Sequence, residues 1–200
     1  MKHLLIAASL LAAPALAAPA LAAPMRGDVH NAPLPASVAD TSFVAPDGSR
    51  TLQQSITIRA PVAILWKAFV EPQEFRKWSA PVAAIDLRTG GSIEASYDPK
   101  KPIGDPDNIR HRILTYLPER LLVFQNIQAP SGLKDREALA AVVSVLEFTP
   151  LEPGVTRVTL SQTGWGHDAA ATGLYGFFQK GNAQVLAHMN ATYGQSGGAK

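Results

Sequence analysis

Two hundred residues with 46% hydrophobic content suffice for one domain with a sizeable core plus extensions. The chain has no cysteine, which excludes a disulfide framework, a thiolate metal site and a thiol nucleophile. The formal net charge is +2, from 18 Lys and Arg interleaved with 16 Asp and Glu, which excludes a basic stripe for nucleic acid.

The chain opens with Met1-Lys2-His3, a short basic start, followed by an apolar run over 4–16. Ala15-Leu16-Ala17 and Ala20-Leu21-Ala22 are small-x-small cleavage candidates, so residues 1–23 read as a secretory signal peptide. Pro14 and Pro19 interrupt the run before it reaches the roughly 20 residues of a membrane span. No stable span is therefore expected after cleavage, and removing Lys2 with no acid takes the charge from +2 to +1. A periplasmic or secreted location follows from this reading.

Residues 24–50 are rich in Ala and Pro and read as a linker, although Phe43-Val44 and Asp47-Gly48 offer the following strand a short hairpin partner. Gln54-Ser55-Ile56-Thr57-Ile58 alternates like a half-buried strand and stops at Ala60-Pro61. Pro61 suits the start of a helix, in which Val62, Leu65, Trp66, Phe69 and Val70 recur at helical spacing. A second short helix follows Pro72 as far as Trp78.

Strands are predicted over 83–88 and 92–97, joined by a tight turn at Thr89-Gly90-Gly91. In the second of these Ile93, Ala95 and Tyr97 share one face and Ser92, Glu94 and Ser96 the other, which predicts a sheet with one dry face. Pro99, Pro102, Gly104 and Pro106 make 98–108 a loop. Further strands are predicted over 109–116, 121–127, 142–148 and 155–162. The last pair turns at Pro150-Leu151-Glu152-Pro153-Gly154, with Val158 and Leu160 facing in, and 131–139 reads as a loop or short helix.

The final element is a helix over 169–193, with Asp168 as N-cap and Gly194 taking a left-handed conformation at its end. Leu174, Tyr175, Phe177, Phe178, Gly181, Val185, Leu186, Met189 and Tyr193 fall on one broad side of the wheel, with Gln179, Lys180, Gln184 and Asn190 opposite. Gly173, Gly176 and Gly181 each weaken a helix by about 1 kcal/mol relative to Ala. A curved sheet pressing close to the helix is expected to hold it. The order of elements predicts an α+β fold, a curved antiparallel sheet wrapped around the C-terminal helix with two short helices after the first strand.

Several segments carry a family resemblance in order: Ile58-Arg59-Ala60-Pro61 leading to Trp66, then Trp78, then Ile85-Asp86-Leu87-Arg88-Thr89-Gly90-Gly91. Tyr116-Leu117-Pro118-Glu119-Arg120-Leu121-Leu122-Val123-Phe124, Thr156-Arg157-Val158-Thr159-Leu160 and Gly164-Trp165 follow. Over about 53–193 the chain resembles the START-like helix-grip superfamily, also called SRPBCC, in the branch similar to the C-terminal domain of activators of the heat-shock-protein-90 ATPase. The resemblance implies a START-like domain over 51–194, a flexible tail over 195–200, and a deep apolar cavity between sheet and last helix. The scaffold hosts carriers, receptors, cyclases and co-chaperones, so it implies no fixed activity. An exported protein would not meet the cytosolic ATPase, so a chaperone partner is not expected.

Phe69, Trp78, Tyr97, His111, Tyr116, Phe124, Trp165, Phe178 and Asn182 are the candidate ligand-binding residues, since aromatic rings with a few polar tips grip a medium-sized apolar molecule. For any one of these aromatics taken alone, core packing is the plainer reading. Tyr97, His111 and Asn182 stand out because each puts a hydrogen-bonding atom on a face that should be dry. The leading expectation is an exported binding protein for a small hydrophobic molecule. The alternative is a cyclase- or dehydratase-like enzyme with His111 as acid-base group, which requires a carboxylate such as Glu94 or Glu147, or a tyrosine, beside it. A third is an interaction module whose cavity is filled by its own side chains. No cofactor is expected, and the spacing of His111, His167 and His188 suggests no metal site.

Overall fold

Strand β3 (Arg50–Ile58) is the spine of one half of the sheet, and its alternation is the reason. Leu52, Ile56 and Ile58 are almost wholly buried, and Gln54 between them is buried too. The computed structural model describes residues 37–194. The expected signal peptide, the first part of the expected linker, 24–36, and the tail at 195–200 lie outside that range.

Within the stretch read as linker, two short strands, β1 (Ala39–Asp40) and β2 (Phe43–Val44), both pair antiparallel with β3. The β2–β3 hairpin turns at Asp47-Gly48, where Gly48 has φ +86°, a conformation that favours a residue without a Cβ. The linker reading of 24–50 is therefore corrected for this part: ordered pairing begins at Ala39.

Helix α1 (Val62–Val70) follows Pro61 and helix α2 (Pro72–Trp78) starts on Pro72, a residue that fits a first turn because it has no N–H to satisfy there. The chain then forms β4 (Val82–Ile85), β5 (Ser92–Ser96), β6 (Ile109–Leu117), β7 (Leu121–Gln128), β8 (Val143–Glu152) and β9 (Val155–Trp165). A short 3-10 turn over Arg136–Leu139 lies between β7 and β8. The nine strands form one curved antiparallel sheet in the order β1-β3-β9-β8-β7-β6-β5-β4, with β2 also on β3.

Beyond the early end of the strand expected over 83–88, which stops at Ile85, two further details of the sheet differ from expectation. The turn before β9 is shorter than 150–154, because β8 runs to Glu152 and Glu152 pairs with Val155. Pro150 is tolerated beside a register irregularity, where the ladder asks less of its missing N–H. The second difference is on β5, whose polar face is also buried: Glu94 is 6% exposed and Ser96 5%.

Helix α3 (Ala169–Tyr193) begins where Asp168 accepts from the Ala171 N–H at 2.8 Å, the expected cap. At the other end Gly194 stays right-handed, with φ −71°, and its N–H donates to the Asn190 carbonyl, so no left-handed cap forms. Ala183, Leu186 and Met189 are fully buried in one cluster with Ile56, Ile58, Leu146 and Val158 of the sheet. Burial of a Leu or Met side chain contributes roughly 1.5–3 kcal/mol, which outweighs the helix-weakening glycines. The sheet does not press on those glycines, since a Cβ at Gly173, Gly176 or Gly181 would meet nothing within 4 Å.

The N-terminal strands are also tied to this helix. The buried Gln54 donates to the Gln179 carbonyl at 2.8 Å and to Asp40 at 3.1 Å, while the Gln179 side chain donates to Asp40 at 2.8 Å. Among the described residues no helix is long and apolar enough to cross a membrane.

Candidate functional site

Between the concave face of the sheet and α3 lies a cavity of about 220 Å³. Its floor follows from strand register. Leu122, Leu146 and Leu160 lie side by side across β7, β8 and β9, and two residues along, Phe124, Ser144 and Gln162 form the next row. His111 of β6 pairs with Asn126 of β7 beyond that row. Phe177, Phe178, Gly181, Asn182 and Val185 of α3 form the roof, and Phe69, Phe75 and Trp78 close one side.

Of the candidates, Phe69, Trp78, Tyr97, His111, Phe124, Phe178 and Asn182 come together on this cavity. Tyr116 and Trp165 are not among its lining residues. Counting in twos from His111 and Ile113 would put Tyr116 on the outer face; the register irregularity between Ile113 and Thr115 turns it to the inner face beside Leu122, where it packs on Trp66 of α1, ring centroids 6.3 Å apart, and not on the cavity. Trp165 ends β9, where it is 3% exposed in a second cluster with Leu52, Leu139, Val142 and Leu174. Phe178, 5.8 Å from it, stands between that cluster and the cavity.

Trp78 presents only its ring, because its indole N–H donates to the Ala68 carbonyl at 2.8 Å. Phe69 packs edge-on against Trp78 at 4.7 Å, fixing both rings. Asn182 donates to Gln162 Oε1 at 2.9 Å, and Gln162 donates to Ser144 Oγ at 3.2 Å. Gln162, Ser144 and Asn126 were not among the candidates. For Gln162 a signal existed, since extending the inward alternation of Val158 and Leu160 by two residues reaches it.

His111 packs edge-on against Phe124 at 5.0 Å, and burial pushes its pKa down to about 4, so the ring is neutral at pH 7. Nδ1 is sealed from solvent and unpaired. The partner needed for acid-base work is missing: no carboxylate or tyrosine hydrogen-bonds His111 among the described residues. Glu94 points to the other face, where it accepts from Asn108 at 2.7 Å and from the Gly104 N–H at 2.5 Å and lies 3.6 Å from Arg110. Glu147 is exposed on β8. Tyr97 is half-buried at the cavity edge, and burial raises the pKa of its phenol, which stays protonated.

Among the described residues no group of three or more His, Asp or Glu is placed to hold a metal ion. The arrangement is thus a mostly apolar chamber with a few neutral polar tips.

Solved structures share this fold. The solution structure of the Aha1 dimer from Colwellia psychrerythraea matches with a TM-score of 0.59 at 14% identity, covering 74% of this chain and 98% of that one. A crystal structure of a protein from Mycobacterium smegmatis matches with a TM-score of 0.58 at 23% identity, covering 77% and 95%. One from Mesorhizobium loti gives 0.56 at 19%, covering 72% and 96%. No curated protein matches the chain. The family model described as activator of Hsp90 ATPase homolog 1-like protein matches residues 59–194, from the approach to α1 through the end of α3, and the chain belongs to that family.

Proposed function

We propose that this is an exported binding protein that encloses a small hydrophobic molecule between the sheet and α3. The observation that carries the reading is the apolar cavity of about 220 Å³ on the side of α3 that faces the sheet. An apolar protein cavity of roughly 150 Å³ takes up benzene, so this one suits a molecule about half as large again, on the scale of a two-ring system. Affinity comes from apolar area removed from water, at about 25 cal/mol per Å².

Export rests on the leader-like stretch at 1–23. The unpartnered His111 favours holding a ligand over converting one, because an acid-base group needs a second group to orient it or to share its proton. The chaperone-activating role named for relatives is not carried over to this chain, since an exported protein does not share a compartment with the cytosolic ATPase.

Native mass spectrometry of the protein purified from its own compartment tests the reading. The expected result is a mature chain lacking the leader with a small uncharged molecule co-purifying. A chain that carries no small molecule, and whose melting temperature is unmoved by saturating naphthalene, counts against it.

A further inference from the structure

The cavity lining contains no Lys, Arg, Asp or Glu. This is not because charges are scarce nearby. On β5 and β6 the strand alternation sends Ile93, Ala95, Ile109 and His111 inward, while Glu94 and Arg110 pair across the strands on the opposite face. A carboxylate or ammonium group brought into such a chamber loses its water and finds no opposite charge, which costs several kcal/mol. The lining therefore discriminates against ionised ligands whatever their apolar bulk.

The polar tips narrow the choice further. Neither ring nitrogen of His111 has a hydrogen-bond partner among the described residues, and only Nδ1 is sealed. A sealed, unpaired lone pair is less costly than a sealed, unpaired N–H, because buried orphan donors are the rarer of the two. The proton of the neutral ring thus sits on Nε2, the accessible nitrogen, as a donor. The Tyr97 hydroxyl has no protein partner among the described residues either, and supplies a second donor at the cavity edge.

Building on the binding reading above, we infer that the ligand is an uncharged molecule whose apolar body carries a hydrogen-bond-accepting oxygen, such as a ketone or ester carbonyl, received by His111 Nε2–H. Carboxylates of the same size are excluded. Burial, which holds His111 neutral at pH 7, supports the same assignment.

Three probes of one ring system separate the possibilities: naphthalene, 2-acetonaphthone and 2-naphthoate, titrated calorimetrically against the full mature chain at pH 7. The expected order is 2-acetonaphthone at least threefold tighter than naphthalene, the scale of one net hydrogen bond, and 2-naphthoate at least a hundredfold weaker than 2-acetonaphthone. In His111→Phe the ketone loses its advantage over naphthalene. Equal binding of 2-naphthoate and 2-acetonaphthone overturns the exclusion of charge, and this arm needs only the wild type, so it holds even where His111→Phe does not fold. A ketone that binds no better than naphthalene overturns the assigned donor. Failure of all three, naphthalene included, instead removes the binding reading on which the inference stands.

Discussion

Asn182 Nδ2 donates to Gln162 Oε1 at 2.9 Å, joining the last helix to β9 through two neutral amides. Gln162 is 7% exposed and passes the chain on to Ser144. An amide acting alone on a ligand would be replaceable without loss of stability; this one is also a strut. Asn182→Leu strips a buried acceptor of its donor and is expected to destabilise by about 1–3 kcal/mol. Urea denaturation of Asn182→Leu, Gln162→Leu and the double variant checks this. The double variant should cost less than the two singles together, by at least about 0.5 kcal/mol; strictly additive losses would show that the two side chains do not support one another.

Gly181 is the place where the helix leaves room. It lines the cavity, and a Cβ there would meet nothing within 4 Å. Gly181→Ala should raise stability by about 1 kcal/mol, the helix-propensity difference, because nothing has to move to admit the methyl. Gly181→Leu extends the same side chain into the chamber and should abolish uptake of naphthalene while the fold is kept. Thermal unfolding and titration of both variants decide it. A fall in melting temperature for Gly181→Ala would mean that the space is closed in solution.

The fold was legible because its signals are local. Proline starts at Pro61 and Pro72, two-residue alternation on β5, β6 and β9, and the wheel of α3 each follow from neighbours in sequence. The cavity was legible to the extent that inward phase could be counted, which recovers Trp78, Phe124 and Asn182 and, two residues further, Gln162. Tyr116 reaches the inner face only through a register irregularity that counting cannot see, between Ile113 and Thr115, and it then sits far enough along β6 to pack on Trp66 and not on the cavity. Trp165 was misplaced for a different reason, since residue type cannot say which of two adjoining clusters a ring joins. The burial of Glu94 needed a contact with Asn108, 14 residues away, that no pattern within one strand encodes.

That contact supports a prediction about the loop between β5 and β6. Asn108, fully buried, donates to Glu94 at 2.7 Å and to the Pro102 carbonyl at 2.8 Å, and its own carbonyl accepts from Gln128 at 2.8 Å. Glu94 thus anchors residues 98–108 from beneath. Glu94→Ala leaves buried donors unmatched and is expected to destabilise by about 2–3 kcal/mol. Cleavage within 98–108 under limited proteolysis should accelerate more than cleavage elsewhere. Uniform protection of that loop in Glu94→Ala would mean that the loop is held by its own turns.

Acid stability separates His111 from the carboxylates. Burial lowers the pKa of His111 to about 4 from an ordinary 6.5. Between those values the unfolded chain binds a proton that the folded chain refuses, so stability falls as pH drops from 6.5 to 4 and the contribution levels off below that. The group alone accounts for about 3 kcal/mol between pH 7 and pH 4. The carboxylates act lower. Partial burial pushes Asp40 up, but hydrogen bonds from Ser42, Gln179 and Gln54 outweigh it and hold the group below its ordinary 3.8. The hydrogen bond from Lys77 lowers Glu74 and that from Lys101 lowers Asp107, so these contributions are lost only as pH falls below about 4. His111→Gln cannot titrate. Its urea-unfolding free energy should therefore stay nearly level from pH 6.5 to 4.5, where the wild type slopes downward, and both proteins should then fall together in stronger acid. Parallel slopes for the two proteins above pH 4.5 would show that His111 is hydrated and titrates normally, which would also remove the neutral lining of the cavity at mildly acidic pH.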